Sequence, residues 1–154
     1  MRQAIIIDVD NVLMDSRVPD VTQPNVRTDR EAWRKWQPEM KKCEKITEMW
    51  DLISAYYEIV RPAIFLLTSR ESTDELLEIT LNQLDKLMNG CNCALLMRAE
   101  DDNRTSPEVK RSLYESVIKG RFNVLFAIDD LEENINMWKS LGIKTLQFRY
   151  GDWE

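Results

Sequence analysis

The chain has 154 residues, 44% of them hydrophobic and 31% charged, with a net charge of −6 and no histidine. That length suits one domain with an ordinary core, and no apolar run approaches the roughly 20 residues a membrane helix needs. The missing histidine excludes Ser–His and Cys–His nucleophilic catalysis and every histidine metal site. The acidic balance argues against a broad non-specific nucleic-acid surface.

The chain opens with "MRQAIIIDVD", one basic residue and an apolar run too short for a signal peptide. Its three cysteines, Cys43, Cys91 and Cys93, make no disulfide framework, and Cys91-x-Cys93 lacks the partners of a zinc site. The expectation is a cytoplasmic protein with reduced thiols and no membrane partner.

Taken in order, Ala4–Asp8 reads as a buried strand. Residues 14–37 follow, with Pro19, Pro24 and "TDREAWRKW"; the stretch is too polar for core and long for a connection, so a small cap insertion is expected there. Pro38 is placed to open a helix, and Met40, Cys43, Ile46, Trp50, Ile53 and Tyr57 recur at helical steps. A second strand, Ala63–Thr68, precedes a helix through Leu76, Leu77, Thr80, Leu81, Leu84 and Leu87, which Ser72 and Glu75 would cap. Ala94–Met97 is a third strand, followed by a Pro107–Lys119 helix capped by Ser106. Val124–Ile128 leads to a helix over Leu131–Leu141, stopped by Gly142, and Ile143–Phe148 is the last strand. Five strand–helix alternations predict an α/β fold: a five-stranded parallel sheet with helices on both faces, organised as a single domain over 1–154.

Parallel sheets bind ligands at the carboxyl ends of their strands. Here those ends carry Asp8-Val9-Asp10, Thr68-Ser69-Arg70, Arg98 with "DDNRTSPEVKR", and Asp129-Asp130. Four neighbouring carboxylates repel one another unless a divalent cation joins them, and an oxygen-only ligand set suits Mg²⁺. A cation among carboxylates, with Lys and Arg beside it, is equipment for phosphoryl transfer, and an aspartate is a competent nucleophile.

"DVDNVL" resembles the Asp-x-Asp signature of haloacid-dehalogenase-like (HAD) phosphatases, "FLLTSR" their second motif, Lys110 their third-motif lysine and "AIDD" their acidic fourth motif. More narrowly, "SRES", "MRAEDDNRTSPEVK", "AIDDLEENINMW" and the late "GDW" resemble the 3′-phosphatase domain of phage-type polynucleotide kinase/phosphatase. The resemblance implies a three-layer α/β/α Rossmann-like fold. It implies Asp8 as nucleophile and Mg²⁺ ligand, and Asp10 as general acid–base whose backbone carbonyl also ligates the metal. It implies Thr68 as a hydrogen-bond donor to the phosphoryl group, Lys110 as its charge partner, and Asp129 with Asp130 as further metal positions. Two family glycines are replaced, by Asn11 and Ser69; the first position is expected to need positive φ, which Asn tolerates.

Ser69, Arg70, Arg98 and Arg104 are candidate substrate-binding residues, since an arginine fork suits phosphate, and Asp102 is a candidate to orient one of the arginines. Asp130 with Glu133 reads equally as a capping pair for the next helix. Residues 15–45 carry eight basic and six acidic residues, and Arg27, Arg30, Arg34 and Lys35 lie there with Trp33 and Trp36. They read either as a stacking surface for a single strand or as the two faces of a cap helix. The expected activity is removal of a 3′-phosphate from a nucleic-acid end or 3′-nucleotide. Phosphatases for free nucleotides or other small phosphometabolites are the enzymatic rivals, and a non-catalytic module of this fold is the other class. No G-x-x-x-x-G-K-(S/T) stretch occurs, so the expectation is a stand-alone phosphatase, with room for a separate kinase or ligase as partner.

Overall fold

The computed structural model describes residues 1–17, 22–25 and 28–149. Pro19, Arg27 and the late Gly151-Asp152-Trp153 stretch lie outside the described residues.

Five parallel strands form the sheet: β1 (Arg2–Ile7), β4 (Ala63–Glu71), β5 (Cys93–Arg98), β6 (Phe122–Asp129) and β7 (Thr145–Gln147), in the order β5-β4-β1-β6-β7. β1 is central, and Ile5, Ile6 and Ile7 are fully buried because helices cover both faces. Each such side chain contributes roughly 2 kcal/mol relative to exposure. Ile5 and Ile7 pack into the larger core with α2 (Thr47–Val60), α3 (Asp74–Gln83) and α4 (Asp85–Gly90). Ile6 faces the opposite core, with Ile118 and, from α6 (Glu132–Ser140), Met137 and Trp138.

The strand order reverses at β1, so the carboxyl ends of β1, β4 and β6 open onto one crevice, the place where α/β sheets bind ligands. After β1 the chain turns sharply: the amides of Leu13 and Met14 both donate to the Val9 carbonyl, at 2.9 and 3.0 Å. Asn11 adopts φ 63°, as expected at this turn, and its Oδ1 accepts from Ser16 N and Oγ. Two short strands, β2 (Met14–Asp15) and β3 (Glu44–Lys45), then pair antiparallel. The segment they bracket leaves the main sheet and returns, carrying α1 (Arg30–Trp36) and a 3₁₀ helix (Gln37–Lys42).

Several local expectations shift. The helix expected from Met40 starts at Thr47, because Pro38 sits at the start of the 3₁₀ helix and Cys43 is already extended. Thr73 rather than Ser72 caps α3. Thr105, in a capping box with Glu108, caps α5 (Ser106–Leu113), which puts Ser106 inside the helix. Residues 114–118 continue α5 as a π-helical turn. β4 runs on through Ser69 and Arg70 to Glu71, with an irregularity after Thr68 that lets those residues change direction.

Trp33 and Trp36 are 7% and 5% exposed and join the larger core. Of the two readings of this segment, the packed inner face of a helix is the observed one. Arg30 and Arg34 reach across to the buried Glu71 carboxylate, Arg30 Nη2 at 3.0 Å and Arg34 Nε at 3.6 Å. Among the described residues no helix is long and apolar enough to cross a membrane.

Candidate active site

Asp8 and Asp10 leave β1 at the middle of the crevice. Lys110, on the second turn of α5, places its Nζ 2.8 Å from Asp8 Oδ1 and 2.6 Å from Asp129 Oδ2, all three side chains being buried. The first turn of α5 brings Ser106 to the same face, four residues earlier. Lys119 and Lys86 take no part in this contact.

Asp8, Asp129 and Asp130 each present a carboxylate oxygen within 4.8 Å of the other two. Three carboxylates against one ammonium leave an excess of negative charge in a dry setting. Burial pushes the Asp8 carboxyl well above its ordinary range; the Asp129 charge adds to this and Lys110 opposes it. Burial also raises Asp130. Burial pulls Lys110 down, but the Asp129 and Asp8 charges outweigh it and hold the ammonium protonated. The donor set, oxygens only with an unbalanced charge, fits a divalent cation of the hard type.

The alternative expected for Asp130, a capping pair with Glu133, is not what precedes α6. Leu131 occupies the cap position without a side-chain bond, and Asp129 Oδ1 instead accepts from the amides of Asp130 and Leu131 at 2.9 and 3.3 Å. The Asp130 carboxyl instead lies beside those of Asp8 and Asp129, one oxygen of each within 4.8 Å of the other two.

Asp10 stands apart from the three-carboxylate cluster. Arg70 grips it with a fork, Nε to Oδ2 at 3.0 Å and Nη2 to Oδ1 at 2.7 Å, while Nη1 donates to Thr80 Oγ1 and Gln83 Oε1. Arg70 is 1% exposed. The fork of Arg70, a residue expected to meet substrate phosphate, is occupied by the Asp10 carboxylate in this structure. Thr68 is fully buried at the end of the regular part of β4 and accepts from Arg70 N.

The other arginines are also engaged. Arg98 Nε donates to the Ser69 carbonyl, and its Nη1 to the Asp102 and Arg104 carbonyls, which shapes the loop between β5 and α5. Arg104 forks onto Asp102, holding that carboxyl down at about 2, and donates to Ser112. The expectation that Asp102 orients an arginine is therefore met by Arg104. Both arginines line the cavity with Asp8, Asp10 and Lys110; its volume is about 650 Å³.

Two residues here escaped the sequence reading as site members. Ser106 Oγ lies 2.6 Å from Ser69 Oγ, and Asn134 Nδ2 donates to both Ser106 Oγ and Asp129 Oδ1. A signal for Asn134 existed: it falls in the stripe Leu131, Ile135, Trp138, where a polar residue on a buried face needs a partner.

A parallel sheet with this strand order, an Asp-x-Asp turn after its central strand and a lysine-bridged acidic pair beside it define a haloacid-dehalogenase-like phosphatase fold. The sequence agrees more narrowly: residues 2–153 match the model of the polynucleotide kinase PNKP phosphatase domain, and the chain belongs to that family. Among solved structures it is similar to the Pnkp1 chain of a Pnkp1/Rnl/Hen1 complex, at 24% identity and TM-score 0.75, over 99% of this chain and 48% of that one. A second structure, a Pnkp1/Rnl/Hen1 RNA repair complex, matches at 23% identity and TM-score 0.76, over 99% and 44%. The chain spans about half the length of those relatives. A haloacid dehalogenase-like hydrolase from Streptococcus pneumoniae shares the fold at 11% identity and TM-score 0.63, over 95% and 84%. No curated protein matches the chain in sequence.

Proposed function

We propose that the chain is a Mg²⁺-dependent phosphomonoesterase that works through an aspartyl-phosphate on Asp8 and removes 3′-phosphates from nucleic-acid ends or 3′-nucleotides. The observation that carries this reading is the buried Lys110 bridge between Asp8 and Asp129, with Asp130 beside it and Asp10 held separately by Arg70.

Asp8, Asp129, Asp130 and the Asp10 carbonyl would hold Mg²⁺, which when bound supplies charge neutralisation at the phosphoryl oxygens. Asp8 attacks phosphorus through a carboxylate oxygen, forming the O–P bond as the ester O–P bond breaks. Asp10 gives its proton to the leaving oxygen, then takes one from the water that hydrolyses the acyl phosphate. The Arg70 fork keeps the Asp10 carboxylate aimed during both transfers, and its other partners, Thr80 and Gln83, keep the fork itself fixed. Thr68 donates to the transferring group, and Lys110 offsets its charge and that of Asp8.

Ser69, Arg98 and Arg104 line the cavity and would meet the leaving group, for which the family match favours a nucleotide end. The segment between β2 and β3 acts as a cap on a single domain, tied down by Arg30 and Arg34 on Glu71. The similar Pnkp1 chains are found with Rnl and Hen1, which favours a nucleic-acid repair setting, with a separate kinase or ligase as partner. The free thiols of buried Cys43 and half-buried Cys93, pushed up by burial to about 11 and about 12, fit a cytoplasmic site of action.

The test compares Mg²⁺-dependent phosphate release from a 3′-phosphorylated oligonucleotide, its 5′-phosphorylated counterpart and free mononucleotides. Preference for the first is expected. Reaction of the mononucleotides alone would replace the end-processing assignment by a small-molecule phosphatase.

A further inference from the structure

Asn134 is fully buried, and α6 turns it toward the site. Its Nδ2 is shared: 3.1 Å to Asp129 Oδ1 and 3.2 Å to Ser106 Oγ. Ser106 Oγ in turn lies 2.6 Å from Ser69 Oγ, next to Thr68. A polar chain therefore runs from the acidic cluster on β6, through α6 and α5, to the end of β4. Asn134 Oδ1 is buried and has no protein partner. The amide orientation follows from chemistry, since only Nδ2 can donate to the Asp129 carboxylate. A buried acceptor without a donor is costly, and Asn134 lines the same cavity as Asp8 and Asp130.

We propose that Asn134 is a positioning residue for the cation site: it fixes the Asp129 carboxylate and couples it through Ser106 and Ser69 to the phosphoryl-binding edge of β4. With the backbone amides of Asp130 and Leu131, Asn134 Nδ2 completes a set of three donors on Asp129 Oδ1. That saturates one oxygen and leaves Oδ2 turned to Lys110 and the acidic cluster. Partners of this kind orient a ligating carboxylate, and their removal typically lowers metal affinity about 10–100-fold.

The inference rests on the divalent-cation reading, and the experiment separates the two. Mn²⁺ binding to the full chain is measured from the loss of the free-ion electron paramagnetic resonance signal, with Mg²⁺ as competitor, for the native chain, Asn134→Leu and Ser106→Ala. Asn134→Leu is expected to weaken Mn²⁺ binding about 10–100-fold, and Ser106→Ala several-fold. The Mg²⁺ concentration for half-maximal activity should rise in parallel, with the substrate KM at saturating Mg²⁺ little changed. Native-like Mn²⁺ affinity in a folded Asn134→Leu chain overturns the proposal, whatever its melting temperature. If Asn134→Leu does not fold, native-like affinity in Ser106→Ala overturns it. A native chain that binds no Mn²⁺ removes the cation reading itself, and this inference with it.

Discussion

Arg70 and Asp10 form a two-point ion pair, 2.7 and 3.0 Å across, between residues sixty positions apart. The arginine is buried and makes four hydrogen bonds, to Asp10, Thr80 and Gln83, whereas the Asp10 side chain keeps 24% of its surface exposed. This is the geometry of a holder and a working group. An acid–base catalyst must be aimed as well as present, and a displacement of about 1 Å can cost 10²-fold in rate.

Arg70→Lys keeps the charge but not the fork. It is expected to lower kcat about 10–100-fold with a small change in KM. The loss should be greatest for substrates with a poor leaving group, because an activated aryl phosphate needs no proton from Asp10. Steady-state kinetics on both substrate types checks this; equal losses would place Arg70 on the phosphate rather than behind Asp10.

Lys110→Met removes the ammonium that separates Asp8 from Asp129. Two buried carboxylates then face each other without a counter-charge. The expected result is a fall in kcat of roughly 10²–10³-fold, similar to losing one charge-stabilising donor. The variant should also melt lower in the metal-free state, with part of that loss recovered by Mg²⁺. Thermal melts with and without Mg²⁺ measure this directly.

The pH dependence has a definite sign. Asp8 and Asp130 titrate above their ordinary 3.8 in the folded chain. Above that ordinary value the folded state holds more protons at these groups than the unfolded state. Their contribution to stability is therefore fully present below it and is lost as pH rises through the raised values. A cation bound to the ionised carboxylates reverses the loss; at about 100 times its Kd it adds about 2.7 kcal/mol. The Mg²⁺-induced rise in melting temperature should be larger at neutral than at mildly acidic pH, and smaller at both in Asp130→Asn.

Much of the site was legible because strand ends are legible. Apolar runs such as Ile5–Ile7 and Leu66–Leu67 stop at polar residues, and parallel pairing brings those stops to one edge. Lys110 was readable from its place on the first turns of a helix that starts at that edge. What the sequence hid was how far each side chain's hydrogen bonds are committed. Arg70, Arg98 and Arg104 read alike as arginines near phosphate, yet one holds Asp10, one binds carbonyls and one forks onto Asp102. Asn134 was missed because helical asparagines usually face water, and only the packing of α6 against Ser106 of α5 and Asp129 of β6 gives it partners. The tryptophans of α1 had two readings because period alone cannot say whether a helix face meets core or a ligand. The helix expected from Met40 starts late because the 3₁₀ helix that Pro38 opens ends at Lys42 and Cys43 is extended, which breaks the helical run before Thr47.

The central claim is that Asp8 is the nucleophile of a cation-dependent phosphatase, and one comparison tests it most directly. Phosphate release from a 3′-phosphorylated oligonucleotide with Mg²⁺ is measured for the native chain and for Asp8→Asn, whose folding is checked by circular dichroism. The account predicts release by the native chain and a loss of roughly 10⁴-fold or more in the folded variant. Comparable Mg²⁺-dependent release by both would contradict it.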